Sequence, residues 1–239
     1  MLSVICPFYN ERDNLKMLYA QARKALEPLG GSWELIFVDD GSTDGGAEIV
    51  RTMLPAEGSV RLIILDGRYG KDKALYEGFR AARGELVATI DADLQLPPFE
   101  IPRMLKAMAG HDMVMGIRKQ RHDSWMRKAA SVIGNRSRRA LLGDTIQDSG
   151  CSLMVCRKET LELFYPSKRM HHFFPAIAQL TGFKVAQIPV AHHNRVCGRS
   201  KFRFTVWDPS IIGIALKWRR LTKHYRRNPR SQVNLHTTE

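Results

Sequence analysis

The sequence predicts an α/β domain built on a doubly wound, mostly parallel sheet. Short apolar runs recur at Leu2–Cys6, Leu35–Val38, Val60–Leu65 and Leu86–Ile90. Runs of this kind, without strict inside–outside alternation, belong to strands buried on both faces. The segments between them carry apolar residues at helical spacing, so helices must cover both sides of the sheet. Clusters of Gly, Asp and Pro mark the joins.

In chain order, Leu2–Cys6 is the first strand, and Leu15, Leu18, Ala22, Ala25 and Leu29 trace a helix stripe after it. Leu35–Val38 is the second strand and ends in the turn Asp39-Asp40-Gly41-Ser42. Thr43 or Asp44 then caps a helix carrying Ile49, Val50, Met53 and Leu54. The third strand, Val60–Leu65, precedes a helix with Ala74, Leu75, Phe79 and Ala82. The fourth, Leu86–Ile90, runs into Asp91-Ala92-Asp93-Leu94-Gln95, and Pro97-Pro98 stops it and starts a helix. Beyond Pro98 the spacing predicts strands at Met113–Gly116, Cys151–Cys156 and Val185–Pro189, the last at an edge. It predicts helices over Ser124–Leu142, Lys158–Leu163 and His172–Leu180, and a polar loop from His192 to Lys201. An amphipathic helix follows from Ser210 to about His224, and the tail from Asn228 reads as disordered.

The 239 residues carry 37 Lys+Arg against 24 Asp+Glu, a formal charge of +13. The excess lies in two segments. Arg118–Arg139 and Pro209–Thr238 each sum to +7, which leaves a near-neutral body. Such segments suit polyanionic partners such as nucleic acid, an acidic membrane surface or a phosphorylated substrate. Cys6, Cys151, Cys156 and Cys197 form no C-x-x-C pair and read as reduced thiols. The N-terminus has no signal-peptide pattern, and no stretch approaches the length of a spanning helix.

Ligands of doubly wound sheets gather at the carboxyl ends of the strands. Asp39-Asp40 and Asp91/Asp93 both end strands, so both belong on that rim. Asp91 and Asp93, at i and i+2 on an extended segment, point the same way, with Gln95 continuing their face. Such a pair suits a hard divalent cation bridging to phosphate oxygens. It also suits a solvated turn, or the site of an aspartyl-nucleophile phosphatase. The latter is disfavoured because Gln95 stands where Thr or Val is usual. Asp39 and Asp40 suit a nucleobase or ribose, and equally a capping loop. Neither a Walker sequence nor G-x-G-x-x-G occurs. Arg127 and Ser131 share a helix face at i, i+4 and with Arg118 form a candidate phosphate clamp. The competing reading is a solvated basic helix. Arg195, Ser200 and Lys201, with Gly198 between, suit a loop that closes on a diphosphate. The pairs His171/His172 and His192/His193 lack metal-ligand spacing and read as structural or acceptor-side.

Together these residues resemble family 2 glycosyltransferases of the GT-A fold, and more narrowly the polyprenyl-phosphate branch typified by dolichyl-phosphate mannose synthase. V-I-C-P-F-Y-N-E-R-D-N-L, V-D-D-G-S-T-D-G, A-R-G-E-L-V-A-T-I-D-A-D-L-Q-L-P-P, G-I-R, D-S-G-C-S-L-M-V-C-R-K-E and R-V-C-G-R-S-K-F occur in family order over about residues 2–202. The resemblance implies that Pro7, Tyr9, Glu11, Asp39 and Asp40 line a nucleotide-sugar site with Asp91. It implies that Asp91, Asp93 and Gln95 hold Mg²⁺ or Mn²⁺. Arg118, Arg127 and Ser131 would take the lipid phosphate, and Arg195 and Lys201 would close on the donor. Asp91, Asp93, Arg195 and Lys201 are then the catalytic set. R-Y-G-K-D-K-A departs from the N-x-G-x-x-x-A of relatives, and the paired spanning helices of many bacterial relatives are not seen.

The expected organisation is a GT-A domain over 1–205, a basic interfacial helix over 206–228 and a tail over 229–239. The expected reaction is inverting, metal-dependent transfer from GDP-mannose or a UDP-sugar to a polyprenyl phosphate, in cell-envelope glycan synthesis. The expected location is cytoplasmic, peripheral on the anionic inner face of the cell membrane. Homo-oligomerisation stays open. One alternative is a family 2 transferase with a sugar or protein acceptor. The other is a basic nucleic-acid-binding protein, which leaves both acidic clusters unexplained.

Overall fold

A computed structural model describes residues 1–54, 59–119, 125–167 and 169–195, with side chains for all of these but 125–130. The expected helix over 206–228, the tail, Lys201 and the side chain of Arg127 lie outside the described residues.

Among the described residues seven strands form one sheet: β1 (Leu2–Phe8), β2 (Trp33–Asp39), β3 (Val60–Ile64), β4 (Leu86–Thr89), β5 (Met113–Arg118), β6 (Met154–Arg157) and β7 (Val185–Val190). Their order is β3-β2-β1-β4-β6-β5-β7. β1 runs parallel to β2 and β4, and β2 to β3. β6 is antiparallel to both neighbours, β4 and β5, while β5 and β7 are parallel. The sheet is thus mixed and mostly parallel, and β7 forms the expected edge.

Among the described residues six α-helices accompany it: α1 (Arg12–Leu26), α2 (Gly46–Met53), α3 (Lys71–Ala81), α4 (Ile101–Ala107), α5 (Trp125–Leu142) and α6 (Met170–Leu180). The strand period of two divides the core. Val4, Cys6 and Phe8 of β1 with Leu35 and Phe37 of β2 face Leu15, Leu18, Val50 and Met104 from α1, α2 and α4. Ile5, Ile36 and Val38 face Ala74, Leu75 and Phe79 of α3 and Phe173, Phe174 and Ile177 of α6 on the other side. Each such fully buried Leu, Ile or Phe contributes roughly 1.5–3 kcal/mol. Helices on both faces therefore cover strands that are apolar on both sides. α3 approaches β1 so closely that a Cβ at Gly78 would stand 2.3 Å from Ile5 Cγ2, so this position admits only glycine.

Besides shifts of a few residues at other ends, three local features differ from expectation. The strand expected at Cys151 begins at Met154, because Cys151 N–H bonds the Asp148 carbonyl (3.2 Å) and Ser152 turns away toward Asp91. Lys158–Leu163 is a 3-10 helix rather than an α-helix. The residue that caps α2 is Gly45, at φ 81°, while Asp44 accepts from Gly46 N–H (2.9 Å) and from Arg12 N–H (2.9 Å) at the start of α1. One carboxylate thereby serves two helix N-termini, where negative charge is favoured. Cys6, Cys151 and Cys156 are free and buried, and burial raises all three thiols, Cys156 to about 12.

Candidate active site

The carboxyl ends of β1, β2 and β4 and the start of α3 meet on one rim, and both acidic clusters stand there. The turn after β2 is built around its own carboxylates. Asp39, paired with Phe8 across the sheet, accepts from Ser42 N–H at 2.8 Å. Asp40 accepts from the N–H groups of Tyr69 (2.8 Å) and Gly70 just ahead of α3. Burial raises the Asp40 carboxyl despite those two donors. Its side chain is thus engaged by backbone and braces the rim. Gly41, at φ 73°, makes the turn possible, since a Cβ there would lie 2.7 Å from the Gly67 carbonyl carbon. Asn10 stitches the β1 and β2 turns together, donating from N–H to Ser42 Oγ and accepting from Thr43 N–H. Pro7 is the penultimate residue of β1, and the Tyr9 ring just past it is covered by the Arg68 guanidinium at 4.1 Å.

The turn after β4 keeps one part of the expected pattern and changes another. Asp91, Asp93 and Gln95 are half-buried while Ala92, Leu94 and Leu96 are buried, so the three polar residues are the more exposed ones, as expected. The backbone is a turn rather than an extended segment, with Leu94 at φ 60°. Asp91 Oδ1 accepts from Lys71 Nζ at 2.5 Å and Oδ2 from Ser152 Oγ at 2.6 Å. Burial works to raise its pKa, but the Lys71 charge and the two donors win and hold it low. Asp93 goes the other way: burial and then the neighbouring Asp91 charge raise it to about 6, against the pull of Arg195. Gln95 donates through Nε2 to the His193 carbonyl (3.4 Å), and His193 N–H returns a bond to the Gln95 carbonyl (2.8 Å). This exchange carries the segment after β7 onto the rim. Arg195 there donates to Asp93 Oδ2 at 2.7 Å and to Glu11 Oε1 at 3.4 Å. Of the expected donor-side set, Glu11, Asp91, Asp93, Gln95 and Arg195 therefore converge.

Arg118 and Ser131 meet around a different turn. Arg118, at the end of β5, forms a bidentate pair with Asp148, Nε to Oδ2 and Nη2 to Oδ1, each at 2.8 Å. Ser131 Oγ accepts from Asn135 Nδ2 (3.4 Å), and Asn135 Oδ1 in turn accepts from Ser149 Oγ (2.9 Å). The Asp148-Ser149-Gly150 turn thus sits between β5 and α5. Part of the basic segment is structural: Arg138 is buried against Asp144, with Nη2 2.9 Å from Oδ1, and also bonds the Ile146 carbonyl.

Lys71 and Ser152, which touch Asp91, are not among the expected site residues. The rule that put Asp39 and Asp91 on the rim applies equally to the loop after β3, and would have placed Lys71 there. Ser152 comes before its strand, and only the inverted direction of β6 brings it to the same rim. A small cavity of about 20 Å³, room for a single water, lies among Lys71, Thr89, Asp91, Ser152 and His171. Among the described residues, no three His, Cys, Asp or Glu side chains cluster to form an all-protein metal cage.

The chain is 37% identical over 204 residues to undecaprenyl-phosphate 4-deoxy-4-formamido-L-arabinose transferase of Aeromonas hydrophila subsp. hydrophila, a match spanning 84% of this chain and 63% of that protein. Its fold is similar to glucosyl-3-phosphoglycerate synthase of Mycobacterium tuberculosis solved with Mn²⁺, UDP-glucose and phosphoglyceric acid. The TM-score there is 0.63 at 17% identity, covering 99% of this chain and 85% of that one. A further mycobacterial protein aligns with TM-score 0.61 at 21% identity, over 82% of this chain and 68% of its own. These neighbours share the GT-A-like α/β architecture. The glycosyl transferase family 2 profile matches residues 3–164, and with the motifs of its strand ends accounted for, the chain belongs to that family.

Proposed function

We propose that the protein transfers a sugar from a nucleotide-sugar donor to a polyprenyl phosphate, with inversion at the anomeric carbon. The convergence of Glu11, Asp91, Asp93 and Arg195 on one rim carries the reading of a donor site. The acceptor class follows from the similarity to the undecaprenyl-phosphate transferase, whose length this chain spans only in part.

The donor set fits a hard divalent ion. Mg²⁺ and Mn²⁺ bound with substrate phosphates use one or two carboxylates, the rest of the shell coming from phosphate and water. Asp91, Asp93 and the Gln95 amide oxygen would hold it. Bound there, the ion would offset the charge that builds on a departing diphosphate. Burial first, and then the Asp91 charge, raise the Asp93 carboxyl even with the Arg195 guanidinium 2.7 Å away.

The chain's own residues do the rest. Asp39, Asp40 and Glu11 shape the nucleotide side of the rim, with Pro7 and Tyr9. Arg195, with Lys201, neutralises the leaving group. Arg118, aimed by Asp148, takes the acceptor phosphate with Arg127 and Ser131. A phosphate monoester is largely a dianion near neutral pH and attacks without a strong general base, so none is required of the protein. The basic segment at 209–238 would hold the enzyme on an anionic bilayer, where its acceptor resides. No helix among the described residues is long and apolar enough to cross a membrane.

The test is transfer of radiolabelled sugar from a panel of nucleotide sugars, with Mn²⁺ and undecaprenyl phosphate. An organic-extractable, acid-labile product is expected. Label appearing instead in a water-soluble glycan or in protein would move the chain to a different acceptor class within its family.

A further inference from the structure

α6 opens with two adjacent histidines whose rings lie with centroids 4.1 Å apart but which bond in different directions. His171 Nδ1 is 2.7 Å from Asp72 Oδ1, and the same carboxylate accepts from the backbone N–H groups of His171 (2.8 Å) and Arg169 (2.9 Å). His172 Nδ1 is 3.0 Å from the Ser149 carbonyl oxygen, so that nitrogen carries the proton. Arg169, just ahead of the helix, is held at φ 65°, an arrangement the surrounding bonds must enforce. Each tethered residue is close in sequence to a group that holds Asp91. Asp72 follows Lys71, which bonds Oδ1; Ser149 lies three residues before Ser152, which bonds Oδ2.

We propose that His171 and His172 form a brace that sets the orientation of Asp91. His171, through Asp72, fixes Lys71 on one carboxylate oxygen, and His172, through Ser149, fixes Ser152 on the other. His171 acts through the Asp72 carboxylate and the backbone that joins it to Lys71, His172 through the backbone from Ser149 to Ser152, and both are positioning residues. The proposal rests on reading Asp91 as a metal- and donor-binding carboxylate. Partners one shell out from a ligating carboxylate fix its direction, and their loss typically weakens metal affinity by about 10- to 100-fold.

The experiment measures Mn²⁺ affinity by electron paramagnetic resonance on the protein alone, with thermal midpoints in parallel. Each histidine stands one step beyond a direct partner of Asp91, so His171→Ala and His172→Ala each weaken Mn²⁺ by several-fold, up to about tenfold. His171→Asn and His172→Asn, whose side-chain amide can put an N–H near the former Nδ1, restore affinity to within about threefold of wild type, on the same scale of outer-partner effects. Mn²⁺ affinity in the Ala variants equal to or above that of wild type overturns the brace, as does an Asn variant no better than its Ala counterpart. If His171→Ala does not fold, Asp72→Asn carries the same expectation. Asp91→Asn separates the layers. Wild-type Mn²⁺ binding there removes the metal-site reading together with the brace, whereas lost binding there beside unaltered Ala variants removes the brace alone.

Discussion

Arg195 Nη2 lies 2.7 Å from Asp93 Oδ2, joining the segment after β7 to the turn after β4 across 102 positions of sequence. The same guanidinium reaches Glu11, at the N-terminus of α1. Three separate stretches of chain therefore meet on a single charge, and the proposed donor site takes in a residue far along the chain from those that begin it.

Asp93→Ala removes the carboxylate at the centre of that junction. Nucleotide-sugar-dependent transfer should fall at least about a hundredfold, the scale of losing one electrostatic stabiliser of a transition state. The far-ultraviolet circular dichroism should be unchanged, because Asp93 is not part of the apolar core. Full activity in this variant, or in excess EDTA, would sink the metal-dependent reading.

Acid should destabilise the fold through His172. Burial, and then the charge of His171, pushes the His172 imidazole down to about 3. Between that value and the ordinary imidazole range near 6.5 the unfolded chain binds the extra proton and the folded chain does not. Stability therefore falls as pH drops through this window. The lowered Asp72 carboxyl, with its bonds to His171 opposing burial, adds a loss of the same sign below about pH 4. Urea midpoints from pH 7 to 4.5 should show the decline, and His172→Asn, which cannot titrate, should flatten it. An equal slope in both proteins would contradict the assignment.

Arg138→Ala should cost about 3–5 kcal/mol in denaturant unfolding, since it leaves Asp144 buried without its partner. Replacing both by apolar residues of similar size should recover most of that loss. A cost under about 1 kcal/mol would mean that the pair is solvated, as surface pairs are.

Association with vesicles should follow the basic segment at 209–238. Each Lys or Arg near an anionic surface contributes roughly 1 kcal/mol. Sedimentation with phosphatidylglycerol vesicles should be strong at low salt and should weaken as salt shortens the screening length from about 30 Å at 0.01 M to 3 Å at 1 M. Removing 206–239 should abolish it, and binding that survives this truncation would assign the docking surface to the body of the protein.

The strands and their acidic ends could be read from the sequence because each is a local pattern: an apolar run, then Asp. Leu2–Cys6 and Leu86–Ile90 matched β1 and β4 closely, and Asp91, Asp93 and Gln95 do alternate with buried neighbours. What could not be read was non-local. No local pattern shows β6 inserted between β4 and β5, or Lys71 and Ser152 bonding the two oxygens of Asp91. Arg118 and Asp40 were visible as charges, but their partners, Asp148 and the backbone of Tyr69 and Gly70, lie about thirty residues away. The adjacent histidines looked inert for the same reason, since Asp72 is 99 positions from His171.

The reversal of β6 has an architectural consequence. β5 ends at the rim with Arg118, and β6, running the opposite way, starts from that rim just after Ser152. The thirty-odd residues between them leave and return on the same side, like a handle riveted at both ends. Such a handle can lengthen, shorten or change its chemistry without shifting a sheet register. Under the proposed function, such exchange would alter the acceptor side while leaving untouched the strand ends that carry Asp39, Asp91 and Asp93.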